Sequence, residues 1–185
     1  MKKSTLIPSI SVNYTVDHNK HKAVLLDYFS KEPKRHTTNG DNISNTDWKD
    51  NGNKDREWIH YFKDNVFNQI QNHLLDDRLA TKVTIHNIWF QQYEQNDYHG
   101  WHTHTNTQFT NVYYVELPDV SMKTEILGEE DIEIREGDIL SFPAYMFHRS
   151  KENKSTQRKT VISFNTSYDI LNIDILNSSL GSLKH

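Results

Sequence analysis

Val83-Thr84-Ile85-His86-Asn87-Ile88-Trp89-Phe90-Gln91-Gln92-Tyr93 is the stretch on which the reading of the fold turns. Val83, Ile85, Asn87, Trp89, Gln91 and Tyr93 alternate with Thr84, His86, Ile88, Phe90 and Gln92. β-Branched and aromatic side chains at a period of two make a strand with two distinct faces. Just upstream the period is different. Ile59, Phe62, Val66, Ile70 and Leu74 step by three or four, which predicts a helix over 55–76 with one apolar stripe. Asp55 and Glu57 fall in its first turn, where the helix dipole favours negative charge.

Downstream of the switch, further strands are expected at 109–116, 122–127, 131–134, 138–142 and 161–168. Their connections are short and carry Pro118, Gly128, Gly137 and Pro143. Short strands separated by turn signals predict an antiparallel sandwich or barrel. Upstream, Val24, Leu25, Tyr28 and Phe29 predict a short helix over 19–30. Residues 31–56 read as a long loop, ordered around Ile43 and Trp48. Ile7, Ile10, Val12, Tyr14 and Val16 alternate as in an edge strand. The expected layout is one mainly β (α+β) domain over 1–185, with a helical layer over 1–80, a β core over 81–168 and a tail over 169–185.

The chain has 185 residues, a size suited to one domain. Its mean hydropathy is −0.83, lowered by Asn, Gln, Lys and His. No apolar run approaches the roughly 20 residues of a membrane-spanning helix. The first ten residues, MKKSTLIPSI, lack the apolar core and small-residue site of a secretory signal, so a cytoplasmic location is expected. Cysteine is absent, which excludes disulfides, thiolate metal sites and cysteine nucleophiles. A net charge of −4 argues against general nucleic-acid binding. There is no glycine-rich phosphate loop, no Gly-x-Ser-x-Gly elbow and no His-Glu-x-x-His.

Histidine is abundant, 11 residues, and His99, His102 and His104 crowd one short segment. On a strand, residues i and i+2 share a face, so His102 and His104 project side by side. His148, after a β run and a Pro143 turn, is a candidate third imidazole; His99, at the loop entrance, is a possible further contributor. Three ligands on one side of a metal leave positions open for substrate and oxygen, as in non-haem iron oxygenases. Zinc with three histidines and an open position is chemically reasonable too. A His-x-His in an exposed hairpin can equally be two surface histidines.

With these residues in view, the chain resembles the Fe(II)/2-oxoglutarate-dependent oxygenase superfamily, in particular a branch common in phages and bacteria. The resemblance covers roughly residues 40–168. It rests on Asn87 to Tyr93, on His99-x-x-His102-x-His104, on Thr110 to Val115, on Gly137 to Pro143 followed by His148, and on Ser163-Phe164-Asn165. It implies a double-stranded β-helix (a jelly roll, cupin-like) with Fe(II) at its mouth, held by His102, His104 and His148. The superfamily's usual second ligand is a carboxylate, and His104 stands in its place. Three neutral imidazoles leave the metal with one more positive charge, which alters redox poise and anion affinity. They also keep halide-binding or thiol-dioxygenase chemistry in view.

The resemblance also implies 2-oxoglutarate and O2 as cosubstrates and a basic residue to hold the distal carboxylate. Two registers are open. Arg158 with Thr160 matches the basic-x-hydroxyl spacing, and Arg suits a carboxylate fork. Counting back from Ser163-Phe164-Asn165 selects Lys159 instead. Strand alternation lets only one of the two point inward. Both also fit a solvated basic stretch with Lys151 and Lys154. Tyr93 is a candidate hydroxyl donor to the cosubstrate. The family's Tyr-x-x-Gly turn appears as Tyr93-Glu94-Gln95-Asn96, in which Asn tolerates the left-handed backbone. Trp89, Trp101 and Tyr113 are candidate pocket walls, although a strand aromatic such as Trp89 is more often plain core.

The expected activity is therefore hydroxylation of an unassigned substrate. The alternatives are a three-histidine iron dioxygenase that needs no 2-oxoglutarate, and a zinc-binding jelly-roll module. An exposed edge strand leaves a homodimer open.

Overall fold

A computed structural model of the chain describes residues 9–37 and 40–171. Nine strands form two sheets: β1 (Ser11–Tyr14), β2 (Asn45–Thr46), β3 (Ala80–Tyr93), β4 (His99–His102), β5 (Phe109–Glu116), β6 (Thr124–Ile126), β7 (Asp138–Pro143), β8 (His148–Ser150) and β9 (Lys159–Leu171). The larger sheet has the order β1-β7-β5-β9-β3-β2, and the smaller the order β4-β8-β6. The strand pairs are antiparallel. Among the described residues three α-helices accompany the strands: α1 (His18–Lys31), α2 (Glu57–Phe62) and α3 (Asn68–Asp77). None of the described helices is long and apolar enough to cross a membrane.

The large sheet is the middle layer. On one face Leu25, Phe29, Trp58, Ile59, Phe62 and Ile70 of the helices pack on Ile88, Phe90, Tyr113, Ile139 and Phe164. Phe29 stacks on Phe90 at 4.3 Å, and Phe62 meets Phe164 edge-on at 5.4 Å. On the other face Tyr93, Val112, Tyr114, Leu140, Phe142 and Val161 form a second cluster with Ile126 of the small sheet. This is a double-stranded β-helix with a helical layer behind it. Along β5 and β9 the residues alternate between the two clusters with the period of two that a pleated strand imposes.

Most elements fall where the sequence places them, and the departures have physical causes. The helix expected over 55–76 is broken by a wide, π-type turn at Lys63–Phe67. The turn admits an extra residue, so Val66 and Phe67 both reach the core, and the whole apolar stripe stays buried. Glu57 lies in the first turn of α2, whereas Asp55 precedes the helix. The strand expected at 131–134 does not form. Lys123 Nζ donates to the carbonyls of Glu130 (3.2 Å) and Ile132 (2.6 Å), occupying groups a partner strand would need. The expected 122–127 strand shortens to β6, because Val120–Met122 is a 3₁₀ turn. β9 starts earlier and ends later than expected, and Leu171 pairs with Ala80.

β1 lies at the edge of the large sheet, as expected; Ile7 and residues 172–185 lie outside the described residues. The single phase expected for β3 is not kept. A register shift between Ile85 and Ile88 inserts a bulge. Ile85 therefore packs on the helices together with Ile88 and Phe90, while Trp89, Gln91 and Tyr93 turn to the opposite face.

The described residues of the 31–56 segment are pinned rather than loose. Ile43 is buried, and Trp48 packs edge-on against Trp89 at 4.5 Å. Asp47 pairs with Arg56 and accepts from the Trp58 indole (3.1 Å) and the Phe90 amide (2.9 Å). Burial pushes its carboxyl up to about 6 against the opposing pull of Arg56.

Candidate metal centre

β4 and β8 bring the histidines together. Their register sets His102 directly opposite His148. His104 lies beyond the end of β4, not on the strand as its spacing suggests, and its backbone N–H donates to the Ala144 carbonyl at 2.9 Å. That bond folds it back toward the pair. One ring nitrogen from each of His102, His104 and His148 lies within 4.8 Å of the other two.

The hydrogen bonds decide which nitrogen is free. His102 Nδ1 donates to the Gly100 carbonyl (2.8 Å), and His148 Nδ1 donates to the Met146 carbonyl (3.0 Å). His104 Nδ1 donates to Asn165 Oδ1 (2.6 Å), with Thr110 Oγ1 at 3.0 Å. A carbonyl oxygen only accepts, so each Nδ1 carries the proton and each Nε2 keeps its lone pair. This is how metal-binding imidazoles are usually oriented. Burial also holds all three rings neutral. It lowers His102, brings His104 down to about 4 and, helped by repulsion from His102, brings His148 down to about 3. Three neutral, pre-oriented nitrogen donors fit a divalent transition metal.

β9 separates the two basic residues. Lys159, Val161 and Ser163 line the cleft that contains the three histidines. Arg158 and Thr160 turn the other way and converge on Glu116. Arg158 Nε and Nη2 donate to that carboxylate at 2.8 and 3.2 Å, and the Thr160 hydroxyl also donates to it. The Arg158–Thr160 register therefore lies on the far side of the strand from the histidines. Lys159 is 1% exposed. Its Nζ donates to Ser150 Oγ at 2.9 Å and lies over the Tyr93 ring at 5.1 Å. Among the described residues no carboxylate pairs with it, and burial alone lowers it to about 7. A buried ammonium without an anionic partner is costly to keep charged. The cleft itself is narrow, about 30 Å³, so a five-carbon diacid entering it must move side chains apart.

Tyr93 lines the same cleft, buried, with its phenol pushed up chiefly by desolvation. Asn96 takes the left-handed conformation (φ 71°) that its turn requires. His99 is outside the triad but stacks on His102 at 3.8 Å, and its Nε2 lies 3.6 Å from Asp41. Trp89 is both core and wall: it is 2% exposed and lines the cleft. Trp101 is exposed under the Arg149 guanidinium, and Tyr113 faces the helices, where its hydroxyl meets His18 Nδ1 at 2.8 Å. The sequence reading missed Thr110, Ser150 and Asp41 as site residues. It noted Asn165 only as part of a closing strand; its place six residues after Lys159 on β9, on the same face, was the available signal.

No protein-family model matches the chain, and no curated protein matches it by sequence. Solved structures do match in three dimensions. The viral collagen prolyl hydroxylase vCPH of Paramecium Bursaria Chlorella virus-1, in its 2-oxoglutarate complex, superposes with a TM-score of 0.60 at 13% identity, over 86% of this chain and 96% of that one. The non-heme alpha ketoglutarate dependent epimerase SnoN from nogalamycin biosynthesis gives 0.67 at 11% identity, over 91% and 83%. HygX from Streptomyces hygroscopicus, with nickel and 2-oxoglutarate bound, gives 0.66 at 6% identity, over 92% and 88%. The chain thus has the double-stranded β-helix fold of the 2-oxoglutarate/Fe(II) oxygenase structures, and a His-x-His triad stands within it.

Proposed function

We propose that this protein is an Fe(II)- and 2-oxoglutarate-dependent oxygenase, with His102, His104 and His148 as metal ligands and Lys159 as the anchor for the distal carboxylate. One observation carries the reading: three imidazoles with free Nε2 atoms share a cleft with a buried lysine that lacks an anionic partner. The nickel and 2-oxoglutarate bound by the structurally similar HygX support it. Fe(II) held by His102, His104 and His148, with 2-oxoglutarate, would supply oxygen activation, the cosubstrate being oxidised to succinate and CO2 with one oxygen atom of O2 entering succinate and the other a substrate C–H bond.

The chain's own residues do the rest. Gly100, Met146 and Asn165 hold the three rings in the tautomer that presents Nε2. Lys159 gives the diacid a fixed charge partner, and Ser150 fixes the Nζ position. Tyr93, Val112 and Val161 wall the cleft and exclude water. Arg158 stays with Glu116 as a structural pair and leaves the cosubstrate to Lys159. The three-imidazole donor set also favours a second reading, an iron dioxygenase independent of 2-oxoglutarate.

An anaerobic titration separates the two. Fe(II) is added to metal-free protein, then 2-oxoglutarate, and the visible spectrum is recorded. A charge-transfer band that grows with 2-oxoglutarate and is lost in Lys159→Met supports the proposal. Bound iron without such a band moves the assignment to the second reading, and absence of iron binding removes both.

A further inference from the structure

Beside the triad, with walls that do not include Lys159, lies a second and larger cavity of about 530 Å³. That is enough for a small organic molecule or an extended side chain. Its wall includes Trp48, Trp89 and the three residues His99, His102 and His104, so a molecule in it lies against the metal-type site. Trp48 is 47% exposed and stands perpendicular to the buried Trp89, offering ring surface to whatever enters.

In the metal-free protein the charge of this cavity is opposite to that of the inner cleft. Among the described residues no lysine or arginine lines it, and Asp41 is its one carboxylate. Asp41 is held in place from two directions. Its Oδ1 accepts the Gly100 amide at 2.9 Å. The next residue, Asn42, exchanges backbone hydrogen bonds with Tyr98 at 2.9 and 2.7 Å. Among the described residues no lysine or arginine pairs with Asp41; the His99 ring lies 3.6 Å from it, and its charge also reaches His102. A rigidly placed carboxylate without a cationic partner, in a cavity with aromatic walls, selects against anions and for cations.

The geometry points to a substrate that carries an amine or guanidinium group, with Asp41 as the residue that receives this charge and the Trp48–Trp89 wall covering its apolar part. The two chambers then sort their occupants by sign: the anionic cosubstrate on Lys159, the cationic substrate on Asp41. The word substrate rests on the oxygenase reading above; the charge selectivity of the cavity does not.

The test is therefore run on metal-free protein, by tryptophan fluorescence at neutral pH. The probes are n-pentylamine, 1-pentanol and valerate, which share a chain and differ in charge. The expected order in the wild type is the ammonium at least tenfold tighter than the alcohol. Asp41→Asn keeps an oxygen for the Gly100 amide and should weaken the ammonium at least tenfold while moving the alcohol less than twofold. Trp48→Ala, at a half-exposed position that does not endanger folding, should weaken both probes by a similar factor. Equal binding of ammonium and alcohol, ammonium binding indifferent to Asp41→Asn, or indifference of both probes to Trp48→Ala would each overturn the assignment. Valerate binding that survives Asp41→Asn and is lost in Lys159→Met reports the inner cleft and leaves the ammonium comparison as the criterion. Failure of the iron and 2-oxoglutarate titration with this charge order intact would sink the oxygenase reading alone.

Discussion

The two faces of the six-stranded sheet are made from the same strands and do opposite jobs. Toward the helices, β3, β5 and β9 present Ile88, Phe90, Tyr113, Ile162 and Phe164, all fully buried and nearly all apolar. Toward the small sheet, the same strands present Gln91, Thr110, Lys159, Ser163 and Asn165 among a few apolar residues. The first face stabilises the molecule by area removed from water, roughly 25 cal/mol per Å². The second gives up part of that gain to hold polar groups around the three histidines. The contrast separates a stabilising face from the face proposed to carry the chemistry, and it makes the two separable by mutation.

The sharpest separation is expected from His148→Ala. Iron-dependent turnover should fall to background while thermal unfolding of the metal-free protein changes little; retained turnover would remove His148 from the ligand set. On the opposite face, Phe164→Ala should cost about 3–5 kcal/mol in a denaturant titration, the usual range for a buried phenylalanine. If its cost were under about 1 kcal/mol, the helical layer would not be the stabilising one.

Effects within the polar face come next in size. Asn165→Ala removes the acceptor that orients His104 and should weaken metal binding about 10–100-fold, measured by competition with a chelator. The affinity for 2-oxoglutarate should also depend on pH. A bound carboxylate favours charged Lys159, whose free value is about 7. Below that pH the ammonium is already present; above it binding must take up a proton, so the dissociation constant should rise by up to about tenfold per pH unit. A flat profile between pH 6 and pH 9, roughly spanning that value, would contradict Lys159 as the anchor.

The smallest effect is expected at the neighbouring residue. Arg158 is 36% exposed and paired with Glu116. Arg158→Ala should cost roughly 0.2–1 kcal/mol and leave 2-oxoglutarate affinity unchanged by calorimetry. A large loss of affinity there would exchange the roles of the two basic residues.

The chain's pattern was enough for much of this. The stripe Ile59, Phe62, Val66, Ile70 and Leu74 is buried in full, and Phe109–Glu116 is a strand with the bounds its alternation suggested. The clustering of His102 and His104, with His148 as third partner, was legible because ligand types are few and their spacing is short. Periodicity could not choose between Arg158 and Lys159. Both faces of β9 are buried from Lys159 to Thr166, so its apolar residues there fall on either parity, and neither face is marked by exposure. Nor could it foresee the bulge in β3, which moves Ile85 to the helical face, or the bond from His104 to Ala144 that completes the triad. Local pattern determines which segments become strands and helices, because it depends on neighbours along the chain. The register between strands, the side of the sheet a given lysine occupies and the partner each Nδ1 finds depend on residues far apart in sequence. Only the packed structure decides those.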